Sequence, residues 1–289
     1  VRVDLFVKTI GVELRAARRA VALTVGDVAR VLGWSSSDVE ALEAGFLYPG
    51  ANQIAHHLGA CRVNTADFER VMRLCGYADG WQLTLEHPAG APESARAVMA
   101  HEASARSLFV YTATSVPPLL QTEHYARVMC EADRSADREE VERRLRARRV
   151  RQECLLDVAS RPLTFVLHEV ALLMVRGGRA LMSEQLRHLA VLVDRGVNIR
   201  VLPMNALIAG WEQTSFTLLD FAAHRPAIYL DLPTCAVISD DPGMINAHRG
   251  VVQHLCTAAL DEAATGELLI TWAEHYAEDR VPVPLVNAD

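Results

Sequence analysis

Over the first eighty residues the apolar positions recur at helical spacing, and polar punctuation cuts them into short pieces. Ile10, Leu14 and Ala17 share one face, and Val28, Ala29 and Leu32 a second. Val39 and Leu42 form a third, and Phe68, Val71 and Leu74 form a fifth after a helix near 51–59. The boundaries carry their own chemistry. Thr24 is placed to cap the second helix, Gly33 to make a tight turn, and Ser35 or Ser36 to cap the third. Gly45 ends the third helix, Pro49-Gly50 breaks before the fourth, and Asn64 or Thr65 opens the fifth. The pattern loosens from Asp79 to about Glu93, where His87-Pro88 and Ala91-Pro92 read as linker.

Beyond residue 101 the pattern becomes mixed. Helical segments near 119–131 and 135–158 precede apolar strands at 163–168, 198–203, 214–221 and 226–232. An amphipathic helix runs from Ser183 to Asp194 through Leu186, Leu189 and Leu192. Further helices fall near 243–259 and 261–278, followed by an extended tail. The expected fold class is therefore α+β. A helical module spans 1–80 and a linker 81–100, followed by a mixed α/β domain over 101–289.

At 289 residues the chain has room for two hydrophobic cores. No run of eighteen apolar residues is present, and VRVDLFVKTI is too short and too charged for a signal peptide, so the expected location is cytoplasmic with no membrane partner. The six cysteines form no CxxC pair and no cluster with histidine at zinc spacing. They read as free buried thiols, with no metal and no cofactor required. Charge alters the reading more. Residues 1–80 hold nine basic and nine acidic side chains and are neutral, although a duplex-binding module normally gathers positive charge on one face.

The segment LTVGDVARVLGWSSSDVEALEAG resembles the Xre or lambda-repressor-like helix-turn-helix family, through Leu23-Thr24, Ala29, Leu32-Gly33, Ser35, Val39, Leu42-Glu43, Gly45 and Pro49. That resemblance implies DNA contacts from Thr24, Ser35, Ser36, Ser37, Asp38, Glu40 and Ala41, with backbone contacts near Val25, Ala44, Phe46 and Leu47. Positions 41, 44, 46 and 47 commonly carry Arg or Lys in that family. Here they are Ala, Ala, Phe and Leu, and no Lys or Arg occurs from Val31 to Cys61. Phosphate neutralisation supplies most non-specific affinity, and Arg to guanine is the commonest specific contact. The third helix instead offers Asp38, Glu40 and Glu43. The apolar run Phe46-Leu47-Tyr48 reads as a docking surface for another domain or subunit.

VPPLLQTEHYARVM, RRLRARRVRQECLL and LHEVALLMVRGGRALMSEQLRHL resemble the uncharacterised C-terminal domain that follows such modules in actinobacterial regulators. VNIRVLP, SFTLLDF and AIYLDL extend that resemblance. It implies a ligand- or partner-sensing domain and a homodimer. After Pro203 the chain departs from the pattern with an apolar loop, and Leu207, Ile208, Trp211, Phe216 and Tyr229 become candidate pocket residues for a small apolar molecule. Glu169, His188, Asp220 and Asp231 are the candidate acids and bases. No Walker loop, GxSxG or HExxH is present, so any chemistry would be cofactor-free cyclisation or isomerisation. The arginine-rich stretch 138–151 reads as a solvated helix whose glutamates pair with arginines one turn away, with a displaced nucleic-acid patch as the alternative. Two readings follow. One is a regulator-derived protein that has lost sequence-specific DNA binding and acts through its C-terminal domain. The other is a ligand-responsive Xre-type regulator drawing on Arg15, Arg18, Arg19 or Arg30.

Overall fold

The structure, a computed structural model, describes residues 5–47, 49–76, 82–86, 92–133, 136–155, 161–206, 214–232 and 235–278. Five helices open the chain: α1 (Leu5–Ala20), α2 (Val25–Leu32), α3 (Ser36–Glu43), α4 (Ala51–Ala60) and α5 (Thr65–Gly76). Their boundaries follow from capping. The Thr24 hydroxyl accepts from the Asp27 amide while the Asp27 carboxylate accepts from the Thr24 amide, a reciprocal box that fixes the start of α2. Ser35 accepts from the Asp38 amide and starts α3. Between them Gly33 takes φ +68°, the left-handed turn that sets the two helices at an angle. Val28, Ala29, Val39 and Cys61 pack where α2, α3 and the end of α4 meet.

Two elements begin within the segment expected to be a linker. Gln82–Glu86 is strand β1, and Pro92–Ser104 is helix α6. β1 pairs antiparallel with β7 (Cys235–Ser239), so ladder hydrogen bonds hold residues whose side-chain pattern alone reads as a break. The remaining strands are β2 (Ser107–Thr112), β3 (Leu163–His168), β4 (Asn198–Leu202), β5 (Phe216–Asp220) and β6 (Ala227–Asp231). Among the described residues they form one sheet in the order β1-β7-β6-β5-β2-β3-β4. β2, β3 and β4 run parallel, and the other pairings are antiparallel.

Strand alternation divides the sheet into two faces. Phe109, Tyr111, Val166, Phe216, Leu218 and Ile228 lie on one face, covered by Ile245 and Leu255 of α11 (Pro242–Ala258). Leu108, Val110, Phe165, Val201, Leu219 and Ile238 lie on the other. There they join a core that also holds Ile10, Leu14, Leu42 and Leu58 of the N-terminal helices. One apolar core therefore runs from the sheet into the helical module. α7 (Glu123–Glu131), α8 (Arg138–Leu155), α9 (Glu169–Leu173), α10 (Arg179–Asp194) and α12 (Glu262–Ala277) complete the fold. At the β4 edge the Thr265 hydroxyl accepts from the Val201 amide and the Leu260 amide donates to the Val201 carbonyl, so that edge is not left open for another strand. No described helix is long and apolar enough to cross a membrane.

Candidate functional site

α3 presents Ser36, Ser37, Asp38 and Glu40 to solvent, with Ala41 partly covered. Two other residues of the DNA-contact set are occupied with folding. Thr24 is held in its capping box, and Ser35 caps α3 while its hydroxyl lies 2.8 Å from that of Ser37. The cations nearby are largely engaged. Arg18 grips Glu43 through two bonds of 2.7 Å, and Arg15 donates to the Glu43 carbonyl. Arg70 bonds Glu13 and Asp67. Arg19, Arg30 and Arg62 are exposed, and Arg30 lies 3.0 Å from Asp27.

Glu43 corrects the expectation of three outward acids on α3. It is only 3% exposed and accepts from Arg18 and from His57 Nε2 at 3.2 Å. Burial alone would raise its carboxyl, but these donors outweigh that and hold it at about 2. Because a carboxylate only accepts, His57 donates from Nε2, and its Nδ1 lies 3.7 Å from Cys61 Sγ. Cys61, His57 and Glu43 thus line up as nucleophile, base and orienting acid would, yet each is buried. Burial pushes the Cys61 thiol up to about 11, so this is an inert structural relay. In the native protein Cys61 should resist iodoacetamide at neutral pH more strongly than the half-buried Cys256, whose thiol burial also pushes up. Peptide mass spectrometry reads the contrast, and comparable labelling at the two positions would contradict it. Cys130 is likewise a free buried thiol.

The four acid–base candidates of the C-terminal domain do not meet. Glu169 follows β3, is fully buried, and accepts from the Met204 amide at 2.8 Å, so it ties down the segment after β4. Asp220 ends β5 opposite Ser107, the start of β2, and therefore lies at the other end of the sheet, 2.8 Å from Arg249. Asp231 ends β6 at the same end as Glu169, but β5 and β2 lie between β6 and β3, a separation of roughly 14 Å at strand spacing. His188 stands half-buried on α10, its pKa lowered by burial and by Arg195 against the pull of Glu184. The pocket set separates too. Tyr229 pairs with Thr217, so it and Phe216 point to opposite faces, and Phe216 lies beneath α11 against His248. Leu207, Ile208 and Trp211 lie outside the described residues.

What gathers on the Tyr229 face went unmarked in the sequence. Arg151 of α8 donates two bonds, 2.8 and 2.6 Å, to the buried Glu102 of α6. Tyr229 sits beside them, its hydroxyl pushed upward by burial and by the nearby charge of Asp231 against the pull of Arg151. Other arginines of α8 also reach across elements: Arg149 to Glu123, Arg148 to Gln121 and Arg144 to Asp133. Only part of the stretch pairs one turn away, as Arg144 does with Glu140.

A family model described as "Domain of unknown function (DUF5753)" matches residues 95–271, more than half of the chain. A second, described as "Helix-turn-helix domain", matches residues 9–80. The chain belongs to the DUF5753 family. Its architecture is that of a helix-turn-helix regulator. No curated protein and no solved structure shows a significant match.

The helix-turn-helix is docked onto the DUF5753 domain through an unusual set of contacts. Lys8, the chain's sole lysine, is 7% exposed; its ammonium donates to Ser104 Oγ at 2.5 Å and sits 3.6 Å from the centre of the Phe221 ring. Neither contact is a carboxylate, and burial lowers its pKa to about 7. Thr9 Oγ1 lies 3.3 Å from His101 Nε2, and Phe46 stacks on His224 with ring centres 5.5 Å apart. Of the apolar run after α3, Phe46 thus meets another part of the same chain while staying about half exposed; Leu47 is exposed, and Tyr48 lies outside the described residues. Within the helical module Gly45 lets the chain after α3 pass close against α1: it takes φ +74°, and a Cβ there would lie 2.7 Å from the Lys8 Cα.

Proposed function

We propose that this DUF5753 protein derives from a regulator, no longer reads DNA through α3, and acts through its C-terminal domain as a small-molecule-binding protein. The observation that carries this is the charge at the recognition surface. Asp38 and Glu40 face outward, and the nearby cations Arg15, Arg18 and Arg70 are bonded within the module. Each acid repels a phosphate 4 Å away by about 1 kcal/mol even in water. The edge where the resemblance places a phosphate contact, Phe46, packs on His224 instead.

Anisotropy titration with labelled duplexes, including the promoter regions beside its own gene, tests the reading. At about 50 mM salt, where phosphate contacts are strong, no saturable binding is expected. Binding with a steep salt slope would overturn it.

A second reading, a DNA-binding ligand-responsive homodimer, draws on a different observation. The geometry of the motif is complete: both caps, the left-handed turn and a solvent-facing α3 are present. Arg19, Arg30 and Arg62 would then supply the phosphate contacts. As for the chemistry of the C-terminal domain, Glu169, His188, Asp220 and Asp231 stand apart from one another. A cofactor-free cyclase or isomerase therefore draws no assembled acid–base pair from them, and binding is the better-supported role.

A further inference from the structure

Three nitrogen bases surround one phenyl ring where the helix-turn-helix meets the DUF5753 domain. The Lys8 ammonium stands over the face of Phe221, and His101 and His224 lie nearly perpendicular to that ring, with centres 6.2 and 6.0 Å away. The bases come from three separate places: α1, α6 and the turn that follows β5.

The acids that could neutralise a further charge are committed elsewhere. On α1, Glu13 bonds Arg70, and Arg15 and Arg18 turn to Glu43. On α6, Glu102 is clamped by Arg151, and beside Phe221 the Asp220 carboxylate bonds Arg249. Arg225, which follows His224 on the turn, is itself a cation, and Phe46, which stacks on His224 from the segment after α3, is uncharged.

The two imidazoles are poorly provided for as cations. His101 is 1% exposed; its Nε2 lies 3.3 Å from Thr9 Oγ1, and its Nδ1 is buried with no partner among the described residues. The Nδ1 of His224 is buried in the same way. A neutral imidazole can leave that nitrogen as a bare acceptor. An imidazolium carries a hydrogen on both nitrogens, and here it would bury a charged donor with nothing to receive it. Burial, and then the like charges of Lys8 and His224, hold His101 well below the usual imidazole range. Burial and Lys8 lower His224.

We infer that this junction is an acid-sensitive latch: it accommodates the single charge of Lys8, and protonation of His101 and His224 releases α1 of the helix-turn-helix from α6 and the turn after β5. The linkage has one sign. Once the surfaces part, both imidazoles take up protons as ordinary histidines do, so each proton bound favours the open form. Lys8 sets the background. Below its native value of about 7 it is charged whether the junction is closed or open, so the response in mildly acidic solution belongs to the imidazoles. The helical module keeps its own fixings there. These are the core of Val28, Ala29, Val39 and Cys61 and the Glu43 carboxylate, which takes a proton only toward about 2. The latch operates whether or not the module reads DNA.

Hydrogen exchange of the full chain, read by peptide mass spectrometry and corrected for intrinsic rate, tests this. Between about pH 7 and pH 5.5, protection of α1 and α6 should fall by up to about tenfold for each imidazole, against little change in the central strand β3. His101→Gln keeps a partner for Thr9, and His224→Phe keeps the stack on Phe46. Neither new side chain titrates, so the double variant should flatten the response. His188 on α10, also lowered by burial, is present in every variant and cancels. A second reading needs no variant: by NMR, the His101 imidazole of the wild-type chain should begin to titrate only as α1 loses protection. Protection of α1 that is unchanged over this range, or that falls equally in the double variant, would overturn the proposal. So would a His101 that titrates at its ordinary value of 6.5 while α1 stays protected.

Discussion

Replacing Glu43 with alanine should destabilise the protein by about 3–5 kcal/mol in urea unfolding at neutral pH, the usual cost of removing one member of a buried ion pair. The reason is what remains behind. Arg18, with its side chain 12% exposed, and the fully buried His57 would both face a cavity where their carboxylate had been. α1, α3 and α4 would lose the group that joins them. Glu43→Gln keeps the volume and one acceptor oxygen, so its loss should be smaller. The pH dependence follows from the depressed carboxyl. Its ordinary value is 4.5 and its native value about 2. The native state therefore gains from it fully above about 4.5, and that gain disappears as pH falls toward 2. A loss under about 1 kcal/mol for Glu43→Ala, the range of an exposed pair, would show that the network does not hold the helices.

Lys8→Met should act in the opposite direction. It keeps the apolar stem against Phe221 and removes an ammonium whose contacts among the described residues include no carboxylate. The cost of dehydrating the ion is several kcal/mol, and the ring's attraction returns roughly 0.5–2 kcal/mol of it. A gain of about 1–4 kcal/mol at pH 7 is expected. For a cation with a lowered native pKa, the unfolded chain holds the proton between about 7 and 10.5 while the native chain does not. Wild-type stability should therefore climb with pH across that window and be flat with respect to this group below it. In Lys8→Met that part of the climb should vanish. Because the chain has no other lysine, the difference between the two curves reports position 8. Superimposable curves would show that the burial of Lys8 has no thermodynamic effect.

Most of the helix-turn-helix could be read from its residues, because its boundaries are made by local chemistry. Thr24, Gly33 and Ser35 each do their work within four residues, and each does what its type suggests. Four strands were equally legible because polar breaks bound them. β2 and β7 escaped notice. SLFVYT sits in the middle of the sheet, buried on both faces, so it lacks the alternation that marks a half-exposed strand. Cys235–Ser239 is a short apolar run of the same kind. Glu43 was misread for another reason. Helical spacing alone gave its side chain to solvent, whereas Arg18 and His57, 25 and 14 residues away, draw it inward. The same holds at the junction. Lys8 and Ser104 are 96 positions apart, and Arg151 and Glu102 49. No local pattern announces such pairs, so the polar groups around α6 became visible only once the chain was folded. Three of the four acid–base candidates separate for the converse reason: strand ends look alike in sequence, and the sheet sends Glu169, Asp220 and Asp231 to different corners, while His188 stands on α10.

The edge strand β1 bears on any attempt to dissect the protein. The family match begins at residue 95, inside α6 and after β1. A fragment cut at that point would leave the backbone of β7 unpaired along five residues that β1 normally covers. Bare edges of that kind recruit strands from other molecules. Such a fragment should precipitate or self-associate more readily than one beginning at residue 81, which keeps β1 although it too bares the core shared with the N-terminal helices. The difference between the two pieces would then reflect where the chain was cut, since both lack the helix-turn-helix.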